Sequence, residues 1–137
     1  MHKLVAVLLL SVITYSHQVT LDEVRTSLRE AVAPHKPSCL DETKVNPDLI
    51  ENVLMKLDFN EDDALKCYFD CVMTKASAVK DNSELEVSFV NKIMGDAPAS
   101  LSESVIANCK GVDGGSKCDK YYGMFKCAFT QIAQNLK

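Results

Sequence analysis

The sequence has no apolar run long enough to cross a membrane. A transmembrane helix needs about 20 consecutive apolar residues, and the longest apolar stretch, residues 4–13, is shorter. A basic start precedes this stretch, and Thr14 and Ser16 follow it at the spacing of a signal-peptidase site. We therefore predict a secretory signal peptide at residues 1–16. Residues 17–137 should form one secreted, extracellular domain that does not insert stably into a membrane.

Histidine is scarce, and the familiar catalytic patterns are missing. Once the signal peptide is removed, only His17 and His35 remain, and neither has a plausible nucleophile beside it. No G-x-S-x-G or H-E-x-x-H pattern occurs. A secreted calcium lipase would need a histidine on its cysteine-bearing helix, and none is there. We predict that the protein is not an enzyme and uses no cofactor.

Basic residues are too few for a nucleic-acid partner. The chain has 15 Lys and Arg against 19 Asp and Glu, a formal net charge of −4, and no basic stripe that could neutralise phosphates. Four carboxylates in residues 58–63 suggest calcium, but this segment lacks the glycine and the distal glutamate of an EF-hand loop. The start of a helix is the commoner reason for such carboxylates. We predict no bound metal.

What the sequence does contain is an even number of cysteines. Cys67 and Cys71 lie four apart in an apparent helix, where Cβ atoms are about 5–6 Å apart, whereas a disulfide needs about 3.8 Å. They cannot easily bond to each other. Zinc is less plausible because no histidine lies near them. A small exported chain with six cysteines indicates three disulfides, whose pairing otherwise stays open. The cysteines are Cys39, Cys67, Cys71, Cys109, Cys118 and Cys127.

The rest of the chain has the pattern of about six short helices broken by Pro, Gly and Asn, which predicts an all-α fold. We expect a short turn at residues 38–44. A strong helix should follow, capped by Asn60, and another should begin at Ser83. The segment "LEVSFV" (residues 85–90) is also compatible with a strand, but no partner strand is evident in the sequence.

The cysteine spacing resembles that of the six-cysteine insect odorant-binding proteins of the pheromone and general odorant-binding family. Three residues separate the second and third cysteines, and eight residues lie on each side of the fifth. The surrounding residues agree over essentially the whole predicted domain: "CLDET" at 39–43, "DFNEDDALKCY" at 58–68 and "CDKYYGMFKC" at 118–127.

This resemblance implies an all-α fold around an apolar cavity and a carrier of small hydrophobic odorants or pheromones. An alternative is a carrier or scavenger of lipophilic ligands in saliva, venom or reproductive fluid. An olfactory receptor is a candidate partner, and a monomer or weak homodimer is expected. The disulfide pairing that the resemblance implies is Cys39–Cys71, Cys67–Cys118 and Cys109–Cys127.

Apolar and aromatic positions on the middle and later helices are the predicted ligand-binding residues, several of them by alignment with the family. Tyr122 is the candidate polar anchor, with a partner inside the protein as the equal alternative. The predicted lining is Val72, Met73, Ala76, Leu85, Phe89, Val90, Met94, Val105, Tyr122 and Phe125.

Three positions depart from the family pattern, and the segment after Cys127 is short. Lys44 stands where glycine is frequent, Tyr121 where a small residue is usual, and Gly123 where some members have a bulky aromatic. Ten residues follow Cys127, too few to refill a cavity in the way that long family tails do. With few histidines as well, we predict only a weak loss of ligand affinity between pH 7 and pH 5.5.

Overall fold

A computed structural model describes residues 18–111 and 115–137. The predicted signal peptide at residues 1–16 lies outside the described residues and stays a prediction. None of the helices in the described part of the chain is long and apolar enough to span a membrane.

The described residues form seven helices, and their only β-type pairing is an isolated bridge between Val79 and Leu85. The all-α prediction is therefore confirmed, with one helix more than expected. The helices are α1 (Leu21–Val32), α2 (Lys36–Thr43), α3 (Pro47–Lys56), α4 (Asp63–Lys75), α5 (Val87–Met94), α6 (Ala99–Asn108) and α7 (Lys117–Asn135).

The extra helix, α2, occupies the segment that we expected to be a turn. Pro37 lies in its first turn, where a missing N–H does no harm. The helix ends at Lys44, which has a left-handed backbone with φ of 57°. That conformation explains why glycine suits this position, since glycine adopts positive φ without steric cost.

Two predicted helix starts differ from the structure. The carboxylate of Asp62, rather than Asn60, caps α4 by accepting from the backbone N–H of Leu65 at 2.9 Å, while Asn60 accepts from the N–H of Asp62. The next helix begins at Val87 rather than at Ser83, whose φ is 63°. Residues 84–86, just before this helix, pair instead with residues 78–80, which follow α4. The strand-like pattern of this segment therefore corresponds to a single short β-bridge.

Three disulfides connect four of the helices, and their pairing is the one that the family resemblance implies. Cys67 and Cys71 lie side by side on α4, and each bonds to a different helix. The Cα–Cα separations of 4.6 to 5.7 Å are ordinary for disulfides. The bonds are Cys39–Cys71 between α2 and α4, Cys67–Cys118 between α4 and α7, and Cys109–Cys127 between the end of α6 and α7.

Helices α4 and α7 pack against each other and supply most of the aromatic core. The ring centroids of Phe69 and Phe125 are 4.4 Å apart, and Phe125 stacks on Phe129 at 5.4 Å. This aromatic column lies between the two helices and faces the interior space that forms the candidate site.

Candidate functional site

An apolar cavity of about 250 Å³ lies inside the bundle. It is bounded by α1 and α3 on one side, by α4 and α7 on the other, by α5, α6 and the segment before α5, and by Lys36 at the start of α2. Its uncharged lining residues are Leu28, Val32, Ala33, Ile50, Leu54, Tyr68, Phe69, Val72, Met73, Ala78, Leu85, Phe89, Val90, Ile93, Val105, Phe125, Ala128, Phe129 and Ile132.

Helical periodicity explains how α4 and α7 present this lining. Residues three or four apart share one helical face. On α4, Tyr68 and Phe69 therefore lie one turn before Val72 and Met73. On α7 the same spacing joins Phe125 to Phe129, with Ala128 and Ile132 alongside. Each helix buries one continuous apolar stripe that borders the cavity.

Three charged residues also line the cavity: Arg29, Lys36 and Glu51. Arg29 Nη2 lies 2.7 Å from Glu51 Oε2, and the two side chains are 41% and 47% exposed. Exposed pairs of this kind contribute at most about 1 kcal/mol to stability. Because these side chains are so exposed, the charged residues form a solvated rim, and the interior itself is uncharged.

Tyr68 is the one hydroxyl-bearing residue in the lining. The residue is only 2% exposed, and among the described residues its hydroxyl has no hydrogen-bond partner. Burial raises the pKa of Tyr68 to about 12, and the negative charge of Glu51 adds to the effect. The hydroxyl therefore stays protonated, as a donor, at any physiological pH.

The structure places seven of the ten predicted ligand-binding residues in the cavity wall. That they bind ligand stays a prediction. They come from α4, α5, α6, α7 and the segment before α5, and they are Val72, Met73, Leu85, Phe89, Val90, Val105 and Phe125.

The other three predicted residues lie elsewhere. Ala76 caps the C-terminal end of α4, and Met94 is buried in the core outside the cavity wall. The hydroxyl of Tyr122 donates to the backbone carbonyl of Asn60 at 2.7 Å, which was the alternative to a ligand anchor. Burial raises the pKa of Tyr122 to about 12. Its hydroxyl holds the loop before α4 in place.

Sequence reasoning missed the contribution of α1 and α3, including Leu28, Val32, Ile50 and Leu54. Nothing local in these helices distinguishes a cavity wall from an ordinary core face. Phe69, Phe129 and Ile132 were also missed, although a signal existed for them. Each lies one or two helical turns from a residue that was predicted, on the same apolar stripe.

No group of three or more His, Cys, Asp or Glu side chains in residues 18–111 and 115–137 has an arrangement that could hold a metal ion. In particular, Glu61 of the acidic segment forms an ion pair with Lys66 at 2.7 Å. Asp119 lies 3.1 Å from the same ammonium group. These charge-assisted bonds lower the pKa of both carboxyls. They connect the loop before α4 to the start of α7.

A family model described as the PBP/GOBP family matches residues 22–131, most of the chain and nearly all of the helical bundle. The chain belongs to the PBP/GOBP family. The resemblance predicted from the cysteine spacing is thereby confirmed. Proteins of this family bind and carry small hydrophobic ligands and are not generally enzymes.

Individual relatives are distant in sequence. General odorant-binding protein 56a of Drosophila melanogaster is 21% identical over 99 residues, which cover 72% of this chain and 71% of that protein.

Two solved structures have the same fold. One, described as a fatty acid binding protein from the oral disk of the blowfly Phormia regina, is 21% identical. It has a TM-score of 0.62, with 78% of this chain and 93% of that chain covered. The other, odorant binding protein 4 of Chrysopa pallens, is 27% identical with a TM-score of 0.58 over 80% and 92% of the two chains.

Proposed function

We propose that this protein is an extracellular carrier that encloses a small hydrophobic odorant or pheromone in its central cavity. The observation that carries the proposal is the cavity itself. Apolar side chains line it, and the helical bundle that contains it belongs to a family of carriers. An empty space of this kind in a small domain reduces stability, because the surrounding atoms lose packing contacts. A ligand that fills it restores those contacts.

The size and chemistry of the cavity favour compact apolar ligands. Its volume of about 250 Å³ is slightly below the roughly 300–1,000 Å³ of typical small-molecule pockets. Met73 gives the wall an adaptable side chain that can follow different ligand shapes. A medium-length hydrocarbon chain therefore suits the cavity better than a very long one.

The extracellular location rests on the predicted signal peptide and on the disulfides. Three disulfides in a chain of this size are typical of secreted proteins and rare in reducing compartments. We expect the carrier to deliver its ligand to an olfactory receptor. We expect it to act as a monomer or a weak homodimer.

The second candidate is the same carrier chemistry in a secretion outside olfaction. The observation that favours it is the blowfly neighbour, which comes from the oral disk and is described as a fatty acid binding protein. Detecting the transcript in antennae or in glands separates the two roles, because both use the same cavity.

Displacement of a fluorescent apolar probe tests the proposal. Met73→Trp fills part of the cavity and should weaken probe binding by about tenfold or more. Met55→Trp adds the same side chain at a position that is 49% exposed and outside the cavity, and it should leave binding unchanged. The natural chain has no tryptophan, so each variant also reports probe proximity by energy transfer.

If Met73→Trp does not fold, Val90→Phe replaces it in the test, because it adds a smaller volume to another side chain of the cavity lining. If folded variants of this kind bind the probe as tightly as the natural protein, the cavity is not the binding site.

A further inference from the structure

The hydroxyl of Tyr68 is a hydrogen-bond donor that residues 18–111 and 115–137 leave unused. Tyr68 lines the cavity and is 2% exposed, yet its Oη forms no hydrogen bond with a described residue. Every fully inaccessible side-chain nitrogen or oxygen in the described residues has a partner. The Tyr68 hydroxyl is therefore still within reach of a water-sized molecule, although its residue is almost completely buried.

A comparison with Tyr122 shows that the unpartnered hydroxyl is a property of Tyr68 and not of every buried tyrosine near the cavity. Both tyrosines are only 2–3% exposed, and both belong to helices that border the cavity. The Tyr122 hydroxyl donates to the carbonyl of Asn60 at 2.7 Å, as buried hydroxyls normally do. A buried hydroxyl without a partner is destabilising, so its natural complement is an acceptor that arrives with a ligand.

Building on the proposed carrier function, we infer that the cavity selects ligands with one uncharged oxygen acceptor, which receives a hydrogen bond from Tyr68 Oη. Ketones, aldehydes, esters and alcohols with an apolar chain belong to this class. The chain would occupy the aromatic and aliphatic wall of α4 and α7, and the oxygen would lie at the Tyr68 hydroxyl.

The charges around the cavity favour an uncharged acceptor over a carboxylate. Glu51 is close enough to Tyr68 for its charge to disfavour the tyrosinate, and the same negative potential disfavours a carboxylate at that position. The guanidinium of Arg29 does not compensate, because it is already paired with Glu51 at 2.7 Å. Lys36, the third charged residue of the lining, is not among the charges that act on the Tyr68 hydroxyl. Burying a carboxylate beside one neutral donor would also leave most of its charge unsolvated.

The experiment compares three ligands with equal numbers of heavy atoms: dodecane, methyl nonyl ketone and decanoate. Each displaces the apolar probe from the natural protein, from Tyr68→Phe and from Tyr121→Phe. The control variant removes the same hydroxyl from a tyrosine outside the cavity wall. Relative to dodecane, the ketone should bind the natural protein about three- to tenfold more tightly than it binds Tyr68→Phe, the range expected for one net hydrogen bond. Decanoate at neutral pH should bind less tightly than the ketone.

Tyr68→Phe should weaken ketone binding by this factor and leave dodecane binding unchanged, whereas Tyr121→Phe should change neither. The inference is overturned if Tyr68→Phe leaves ketone binding unchanged, if it weakens dodecane binding equally, or if decanoate binds most tightly. In these cases dodecane still binds and the carrier function stands. If none of the three ligands displaces the probe, the carrier function fails together with the inference.

Discussion

The two sides of the cavity are held together by different means. On one side, α4 and α7 are joined by the Cys67–Cys118 disulfide and by an aromatic column, and Cys39–Cys71 and Cys109–Cys127 attach α2 and α6 to them. On the other side, α1 and α3 contain no cysteine. Polar bonds from Arg25 and Arg29 hold α1 to α3, and α1 also packs against α5.

This difference teaches how a small domain can keep a cavity without collapsing. Disulfides restrict the unfolded chain, so the α4–α7 side can provide stability that does not depend on filling the interior. The α1–α3 side carries no such restraint, and low-energy local opening is concentrated where few contacts hold an element. We therefore expect ligand to pass through the α1–α3 side.

The largest expected effect comes from removing the covalent restraint. Replacing Cys67 and Cys118 together by serine opens a loop with a sequence separation of 51. It should lower the free energy of unfolding by about 4 kcal/mol in the chain-entropy model. Replacing Cys109 and Cys127, with a separation of 18, should cost about 3 kcal/mol. Urea denaturation of both variants checks the values and their order.

A loss below about 1 kcal/mol for the Cys67–Cys118 variant would show that the aromatic column alone holds α4 to α7. The contrast between the two sides of the cavity would then disappear.

On the α1–α3 side, Arg25 is the residue whose loss should matter most. Its Nε donates to the backbone carbonyl of Leu54 at 2.6 Å, and its side chain is 12% exposed. Arg25→Met keeps most of the aliphatic volume but removes this charge-assisted bond, for an expected loss of about 2 kcal/mol. Arg29→Met is the matched control, because its half-exposed pair with Glu51 should contribute less than about 1 kcal/mol. Thermal or urea unfolding of both variants measures the difference.

Arg25→Met should also accelerate probe dissociation in stopped-flow measurements, because Arg25 joins α1 to the end of α3. Unchanged dissociation in a folded Arg25→Met variant would argue against passage of ligand through this side.

A smaller effect is expected for Tyr122→Phe, which separates structural from ligand-binding hydroxyls. The change removes the bond to the carbonyl of Asn60 and should lower the free energy of unfolding by about 1 kcal/mol. It should not alter the affinity for a ketone ligand, in contrast to Tyr68→Phe. Calorimetric unfolding and probe displacement on the same samples test both statements, and a loss of ketone affinity in Tyr122→Phe would contradict them.

Acid should weaken the α4–α7 side through the carboxyls that flank Lys66. The pKa of Glu61 and of Asp119 is lowered in the folded protein, chiefly by hydrogen bonds from Lys66. Their contribution to stability is complete above the ordinary values of 4.5 and 3.8, and it is lost as pH falls through the lowered ones. The pKa of Lys66 is raised, so its own contribution is lost only in strong alkali.

Melting temperatures measured from pH 6 to pH 3 should therefore fall mainly below about pH 4. Lys66→Met should remove part of that acid dependence. An equal dependence in the variant would show that other carboxyls cause the loss.

The smallest expected effect concerns ligand affinity between pH 7 and pH 5.5. In the described part of the chain the only histidine is His35, at the start of α2 and outside the cavity wall. Glu51 is the only carboxylate in that wall, and it is half exposed and paired. We expect the affinity for an uncharged probe to change by less than about tenfold, or ~1.4 kcal/mol. Titration of bound probe at the two pH values measures it, and a larger drop would reveal a switch.

The candidate site was only partly predictable. Val72, Met73, Val90 and Phe125 border the cavity, as their apolar periodicity and the family alignment together indicate, and that they bind ligand stays a prediction. Tyr122 was the predicted polar anchor and Tyr68 was not predicted, although both are tyrosines on apolar helical stripes. A sequence does not show which hydroxyl has a carbonyl within reach. That depends on the position of the loop containing Asn60 in the folded protein.

The sequence by itself determined the class of fold, the number of disulfides and membership of the PBP/GOBP family. These follow from composition, from helical periodicity and from cysteine spacing, which are local or nearly local properties of the chain. Only the tertiary structure decided that α1 and α3 close the cavity and that Tyr68 faces it with an unused donor. Periodicity shows which face of a helix is apolar. The crossing of helices decides what that face meets, and whether it borders another side chain or an empty space.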